Sequence, residues 1–142
     1  MKFNYNRLTE LILTLDKEFP SLHIELSGYI APNGDYKILF GDKHHAPFLD
    51  KEISFHTHPT DTPPSPQDLK NFLVSSRMKS HIIITPKRVF VITVPKRKAY
   101  LSLILVKLQW FKGTLKQWKR IWKRYVVAAN LIVVQYSKKE FC

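Results

Sequence analysis

Residues Glu52 to Asp68 restrict the fold more tightly than any other stretch of this chain. Ile53 and Phe55 alternate with Ser54 and His56, the period of a strand with one face buried, and Pro59 turns the chain out of it after His58. Thr60-Asp-Thr-Pro-Pro64 is a stiff link, and Ser65-Pro66-Gln67-Asp68 opens a helix. Serine suits the N-cap, proline the first helical position, and an acidic residue three places after the cap completes a capping box. Leu69, Phe72 and Leu73 then share one helical face. A strand passed through a short rigid link into a capped helix sets the strand's end beside the helix's first turn, so side chains at those two ends are held in fixed relation.

The flanking segments fit an α/β (α+β) domain. Leu8, Leu11, Ile12, Leu15 and Phe19 recur at helical spacing before Pro20, which predicts a helix over 7–19. His23 to Ile30 and Tyr36 to Phe40 are strand-like, and Asn33-Gly34 between them is a tight-turn signal, so the two predict a hairpin. His81 to Thr85 and Arg88 to Val94 are β-branched runs suited to buried strands. From Arg97 the spacing becomes helical. Leu101, Ile104, Leu105, Leu108 and Phe111 form one stripe, and Leu115, Trp118, Trp122 and Tyr125 another, with Gly113 as a break between them. Leu131 to Tyr136 fits either a strand or a helix end.

At 142 residues the chain has room for one compact domain, 1–142, with a core over about 1–97 and a basic, Trp-rich helical extension over about 98–142. No apolar run approaches the ~18 residues of a transmembrane helix. The N-terminus shows no secretory signal, and the single cysteine, Cys142, allows no internal disulfide, so an intracellular, cytoplasmic setting is expected. Residues 1–86 carry 9 Lys and Arg against 10 Asp and Glu, whereas residues 87–142 carry 14 against 1. The basic excess therefore lies in the extension, which suits nucleic acid, an acidic surface or an acidic partner.

His56 and His58 stand at i and i+2 of a strand and so share a face. Ten residues after His58, Asp68 lies in the first turn of the following helix. Two imidazoles and a carboxylate are a suitable set for one catalytic zinc per chain, leaving a fourth position for water. Such a centre also needs a proton acceptor and a donor to an oxyanion, for which Glu25 and Ser65 are candidates. Each has a plainer reading as well: Ser65 and Asp68 as a helix cap, Glu25 as a solvated strand carboxylate. Other zinc hydrolase patterns fail, because the chain has no HExxH and lacks the PCxxC of the deaminases. His44 and His45 are adjacent and read best as exposed loop residues.

Glu25-Leu-Ser-Gly28, then His56-Thr-His58-Pro59 31 residues after the glutamate, then Ser65-Pro-Gln-Asp68, resembles the JAMM motif of the JAB1/MPN metalloproteases in order, spacing and placement on elements. The resemblance covers roughly residues 1–97. It implies a mixed sheet flanked by helices in a cytidine-deaminase-like architecture, zinc held by His56, His58 and Asp68, Glu25 as general acid/base, and Ser65 at the oxyanion. It further implies an isopeptidase or peptidase that removes ubiquitin or a ubiquitin-like modifier from substrate lysines. Five residues, Thr60 to Pro64, separate the HxHP from the serine, fewer than in the eukaryotic deubiquitinating members. The alternative is an MPN-type binding or scaffold module whose basic helix, through Lys116, Lys119, Arg120, Lys123 and Arg124, meets nucleic acid or an acidic partner. Trp110, Trp118 and Trp122 beside those cations would suit stacking on bases, but the same pattern describes a core-packed helix with a solvated basic face.

Overall fold

The structure, a computed structural model, describes residues 5–18, 25–31, 33, 35–40, 51–75, 77–94, 107–108 and 111–141. The strands are β1 (Leu26–Ile30), β2 (Tyr36–Phe40), β3 (Ile53–Thr57), β4 (Ser80–Ile84), β5 (Arg88–Thr93) and β6 (Ile132–Ser137). They form one mixed sheet in the order β2-β1-β3-β4-β5-β6. Among the described residues the helices include α1 (Tyr5–Glu18), α2 (Pro66–Val74) and α3 (Leu115–Ala128), and a short 3-10 turn, Lys138–Phe141, follows β6. Among the described residues no helix is long and apolar enough to cross a membrane.

Alternation along the strands divides the interior into two layers. Leu26, Phe55, Ile82, Ile84, Val89 and Val91 lie on the face covered by Leu8, Leu11, Ile12 and Leu15 of α1. Ile83, Phe90 and Ile92 meet Leu69 and Phe72 of α2 and Trp118 and Trp122 of α3. β3 is the strand on which sheet polarity changes. It runs antiparallel to β1, with Ser27 opposite His56, and parallel to β4, with Ser54 beside His81. Parallel pairing requires a crossover, and α2 supplies it.

The hairpin between β1 and β2 forms where the turn residues predict it. Asn33 and Asp35 bond side chain to side chain and side chain to backbone, and the Ala31 amide donates to the Asp35 carbonyl. Gly28 lies where a Cβ would run into the Lys37 carbonyl and the Phe55 ring, so only glycine allows β1, β2 and the Phe55 side chain to approach this closely.

Within 98–142, the described residues 111–141 hold a strand as well as a helix. α3 opens with a Thr114–Gln117 capping box and buries Trp118, Trp122 and Val126 in the same cluster as α2. It ends in a Schellman turn: Leu131 N–H bonds the Val126 carbonyl, Asn130 N–H bonds that of Val127, and Asn130 takes a positive φ of 56°. That turn directs the chain into β6, which pairs with β5 from Thr93↔Ile132 to Arg88↔Ser137. Of residues 131–136, open to two readings in sequence, 132–136 thus belong to an edge strand. The stripe Leu101, Ile104 and Leu105, as well as Phe19, Gly34, His44, His45, Trp110 and Cys142, lies outside the described residues.

Candidate metal centre

The even-numbered side chains of β3 face the α2 side of the sheet. His56 is near its end, and His58, just beyond it, stays tied to β4 because its amide donates to the Ile84 carbonyl at 2.9 Å. The two imidazoles converge, with Nε2 atoms 2.9 Å apart. Asp68 reaches them from the first turn of α2. Its Oδ1 is 3.3 Å from His56 Nε2 and its Oδ2 3.1 Å from His58 Nε2. The capping box predicted for Ser65 and Asp68 is also present: Asp68 N–H donates to Ser65 Oγ at 3.0 Å, and Ser65 N–H donates to Asp68 Oδ2 at 2.8 Å. The cap and the reach toward the histidines are one arrangement, because the backbone bond that closes the box also aims the carboxylate.

His56, His58 and Asp68 each offer an atom within 4.8 Å of the others. Donors about 2.0–2.2 Å from a tetrahedral zinc lie roughly 3.3 Å from one another, so the observed separations fit. The second ring nitrogen of His58 fits as well. Its Nδ1 lies 3.1 Å from the Thr62 carbonyl and 2.9 Å from Thr62 Oγ1, two oxygens that can accept a ring hydrogen there when the Nε2 lone pair is given to a metal. Burial opposes a charge on His58, but the hydrogen bond and charge of Asp68, the Thr62 carbonyl and the charge of Glu25 outweigh it and raise its pKa. For Asp68, burial likewise opposes ionisation, and the charge and hydrogen bond of His56 and those of His58 hold its carboxyl well below the usual range.

Glu25 immediately precedes β1. Continuing the β1–β3 register places it opposite His58, on the same face of the sheet. Glu25, Ser65, His56, His58 and Asp68 all line one cavity of about 770 Å³. The five residues singled out in the sequence therefore meet in a single place.

Three neighbours were not foreseen. Ser27 lines the cavity with a buried hydroxyl that has no partner among the described residues. His81, at the start of β4, contacts His56; only the parallel register brings 81 and 56 together, and no sequence pattern encodes it. Trp118 of α3 is buried beside the same cavity, and its indole N–H donates to the Pro64 carbonyl at 2.7 Å. The helix set apart as an extension is thus a wall of the site. With Trp118 2% and Trp122 6% exposed, neither ring is available for stacking on bases.

No family model, curated protein or solved structure matches the chain.

Proposed function

We propose that this chain is a JAB1/MPN-type zinc metalloprotease with that family's fold, an isopeptidase or peptidase that removes ubiquitin or a ubiquitin-like modifier from substrate lysines. The observation that carries this reading is the convergence of His56 Nε2, His58 Nε2 and the Asp68 carboxylate beside Glu25 and Ser65. A plain cap with two surface histidines would not bury both rings or point both Nε2 atoms at one carboxylate.

Zinc held by His56, His58 and Asp68 would polarise the scissile carbonyl and lower the pKa of its water toward ~7. The chain's own residues do the remainder. Glu25 accepts the proton of the attacking water and returns it to the departing lysine amine, breaking the carbon–nitrogen bond. Ser65 Oγ spends a lone pair on the Asp68 amide and keeps its O–H to donate to the oxyanion. Pro63, Phe111 and Trp118 supply apolar wall to the cavity, which strengthens each of these contacts by excluding water.

The test is metal content of protein purified without added metal, together with cleavage of a panel of ubiquitin-like fusions. One zinc per chain and chelator-sensitive cleavage at the modifier's C-terminus are expected. A chain that neither retains nor takes up zinc, or that holds zinc and cleaves nothing in the panel, overturns the metal centre or the substrate class respectively.

A second role for α3 is favoured by one observation. Lys116, Lys119, Arg120, Lys123 and Arg124 are all exposed, and no acidic residue occurs in Leu115–Ala128. That face offers charge without stacking, which suits phosphate groups of nucleic acid or an acidic partner.

A further inference from the structure

Behind the proposed ligands runs a chain of three polar side chains, all buried: Ser54, His81 and His56. The parallel register sets Ser54 beside His81. Ser54 Oγ is 2.7 Å from His81 Nδ1, and His81 Nε2 is 2.6 Å from His56 Nδ1. The two imidazoles stack with centroids 4.8 Å apart and planes inclined by 30°. We propose that His81 is a positioning residue that fixes the tautomer and ring plane of His56, so that His56 presents its Nε2 lone pair to a divalent metal ion. This rests on the metal-centre reading above.

A neutral imidazole carries one N–H. The Nε2 of His56 faces His58 and Asp68, so to bind a metal it must be bare, and the hydrogen must sit on Nδ1. That hydrogen has an acceptor only if His81 Nε2 is bare, which moves the His81 hydrogen to Nδ1 and directs it at Ser54 Oγ. Donors and acceptors then alternate consistently from Ser54 through His81 to His56. The hydroxyl can end the chain because it accepts as readily as it donates. Histidine ligands commonly donate their second N–H to a carboxylate or a carbonyl, and Thr62 offers His58 Nδ1 both a carbonyl and a hydroxyl oxygen for this. His81 does the same for His56 without adding a buried negative charge. It does not join the ligand set: among the described residues the converging group is His56, His58 and Asp68, and His81 meets His56 through the opposite ring nitrogen.

The experiment measures zinc affinity by competition with a chromophoric chelator for wild type, His81→Leu, His81→Gln and Ser54→Ala. Long-range 15N–1H spectra of the zinc-loaded, 15N-histidine-labelled proteins supplement it. Loss of an outer-shell partner costs about 10–100-fold in metal affinity, and His81→Leu is expected in that range. His81→Gln restores an acceptor in Oε1 and should recover part of the loss, while Ser54→Ala should lie between wild type and His81→Leu. In the wild-type spectrum His56 should carry its hydrogen on Nδ1 and metal on Nε2, and His81 its hydrogen on Nδ1. If His81→Leu does not fold, Ser54→Ala decides: weakened zinc binding with an altered His81 resonance supports the proposal. Wild type that binds zinc while every folded variant stays within about twofold of it, far inside the usual outer-shell effect, overturns the proposal alone. So does His56 bound through Nδ1. Wild type that takes up no zinc overturns the metal centre itself, and the proposal with it.

Discussion

Trp118→Phe tests whether α3 anchors the loop that carries Ser65. The indole N–H crosses 54 residues of sequence to reach the Pro64 carbonyl at 2.7 Å, and Trp118 is only 2% exposed. Phenylalanine keeps an aromatic ring against Phe111 and Tyr125, whose centroids lie 5.1 and 5.2 Å away, but it removes the donor. Pro64 is buried, so its carbonyl would be left without a partner at a cost of about 1–3 kcal/mol. The smaller ring leaves a void that adds about 1 kcal/mol. A loss of about 2–4 kcal/mol corresponds to a fall in Tm of roughly 6–12 °C for a domain of this size. Urea and thermal unfolding followed by far-UV circular dichroism read it directly. Zinc content should persist, because His56, His58 and Asp68 are placed by β3 and the capping box, while turnover falls as Ser65 loses its support. A destabilisation below about 0.5 kcal/mol, the range of an ordinary surface change, would refute the reasoning and mean that α3 does not hold the loop.

Glu25→Gln should lower turnover by about 10²–10⁴ with zinc content unchanged, since the amide keeps the shape but not the proton acceptor; more than about a tenth of wild-type turnover would place the base elsewhere. Gly28→Ala should destabilise the fold by at least about 1–3 kcal/mol through overpacking against Lys37 and Phe55, and unfolding at wild-type denaturant concentration would contradict the packing described. In the metal-free protein the raised pKa of His58 contributes stability that is complete below its ordinary value of 6.5 and lost as pH rises through the folded value. The lowered pKa of Asp68 contributes above 3.8 and is lost as pH falls through its folded value, so the pair stabilises most between those limits. The advantage of wild type over His58→Gln in chelator should therefore shrink as pH rises above that window, while the stabilisation by added zinc grows because its ligands must be deprotonated; melts with the opposite trend would refute the pairing. Replacing Lys116, Lys119, Lys123 and Arg124 by Gln should leave zinc content and cleavage of a small peptide unchanged and reduce the salt slope of nucleic-acid binding. Wild type that binds neither nucleic acid nor acidic vesicles at low salt would reduce that face to a solvated surface.

What was legible in the sequence was whatever is encoded locally. The alternation ending at His58, the proline-stiffened link and the Ser65–Asp68 box each follow from neighbouring residues, and each is present. The hairpin at Asn33 is of the same kind. What could not be read depends on register and long-range packing. His81 acquires its meaning from the parallel pairing Ser54↔His81, and Trp118 from a contact with a carbonyl 54 residues away. The fate of residues 131–136 turned on Asn130, whose positive φ ends α3 and frees a β-branched run to pair with β5. Composition marked the basic segment as separate because charge is visible in sequence and burial of Trp118, Trp122 and Val126 is not.

The position of the site follows from the change of polarity at β3. An antiparallel neighbour brings the beginning of β1 to the end of β3, so Glu25 arrives beside His58. A parallel neighbour brings the beginning of β4 to the beginning of β3, so His81 arrives beside Ser54, deeper in the sheet. The crossover delivers the first turn of α2, with Ser65 and Asp68, back to the end of β3. On the proposed function, the groups that would meet substrate stand at the rim, His56 one step below, and Ser54 and His81 at the floor, away from solvent. Because strand side chains alternate, a slip of β3 by one residue would turn Ser54, His56 and His58 toward α1 and the Phe55 side chain toward α2. The apolar contacts of Phe55 with the α1 layer that fix the register are thus the same contacts that hold the histidines on the α2 side, and on the proposed metal centre, loosening that layer should cost metal affinity even where no substituted residue touches the ligands.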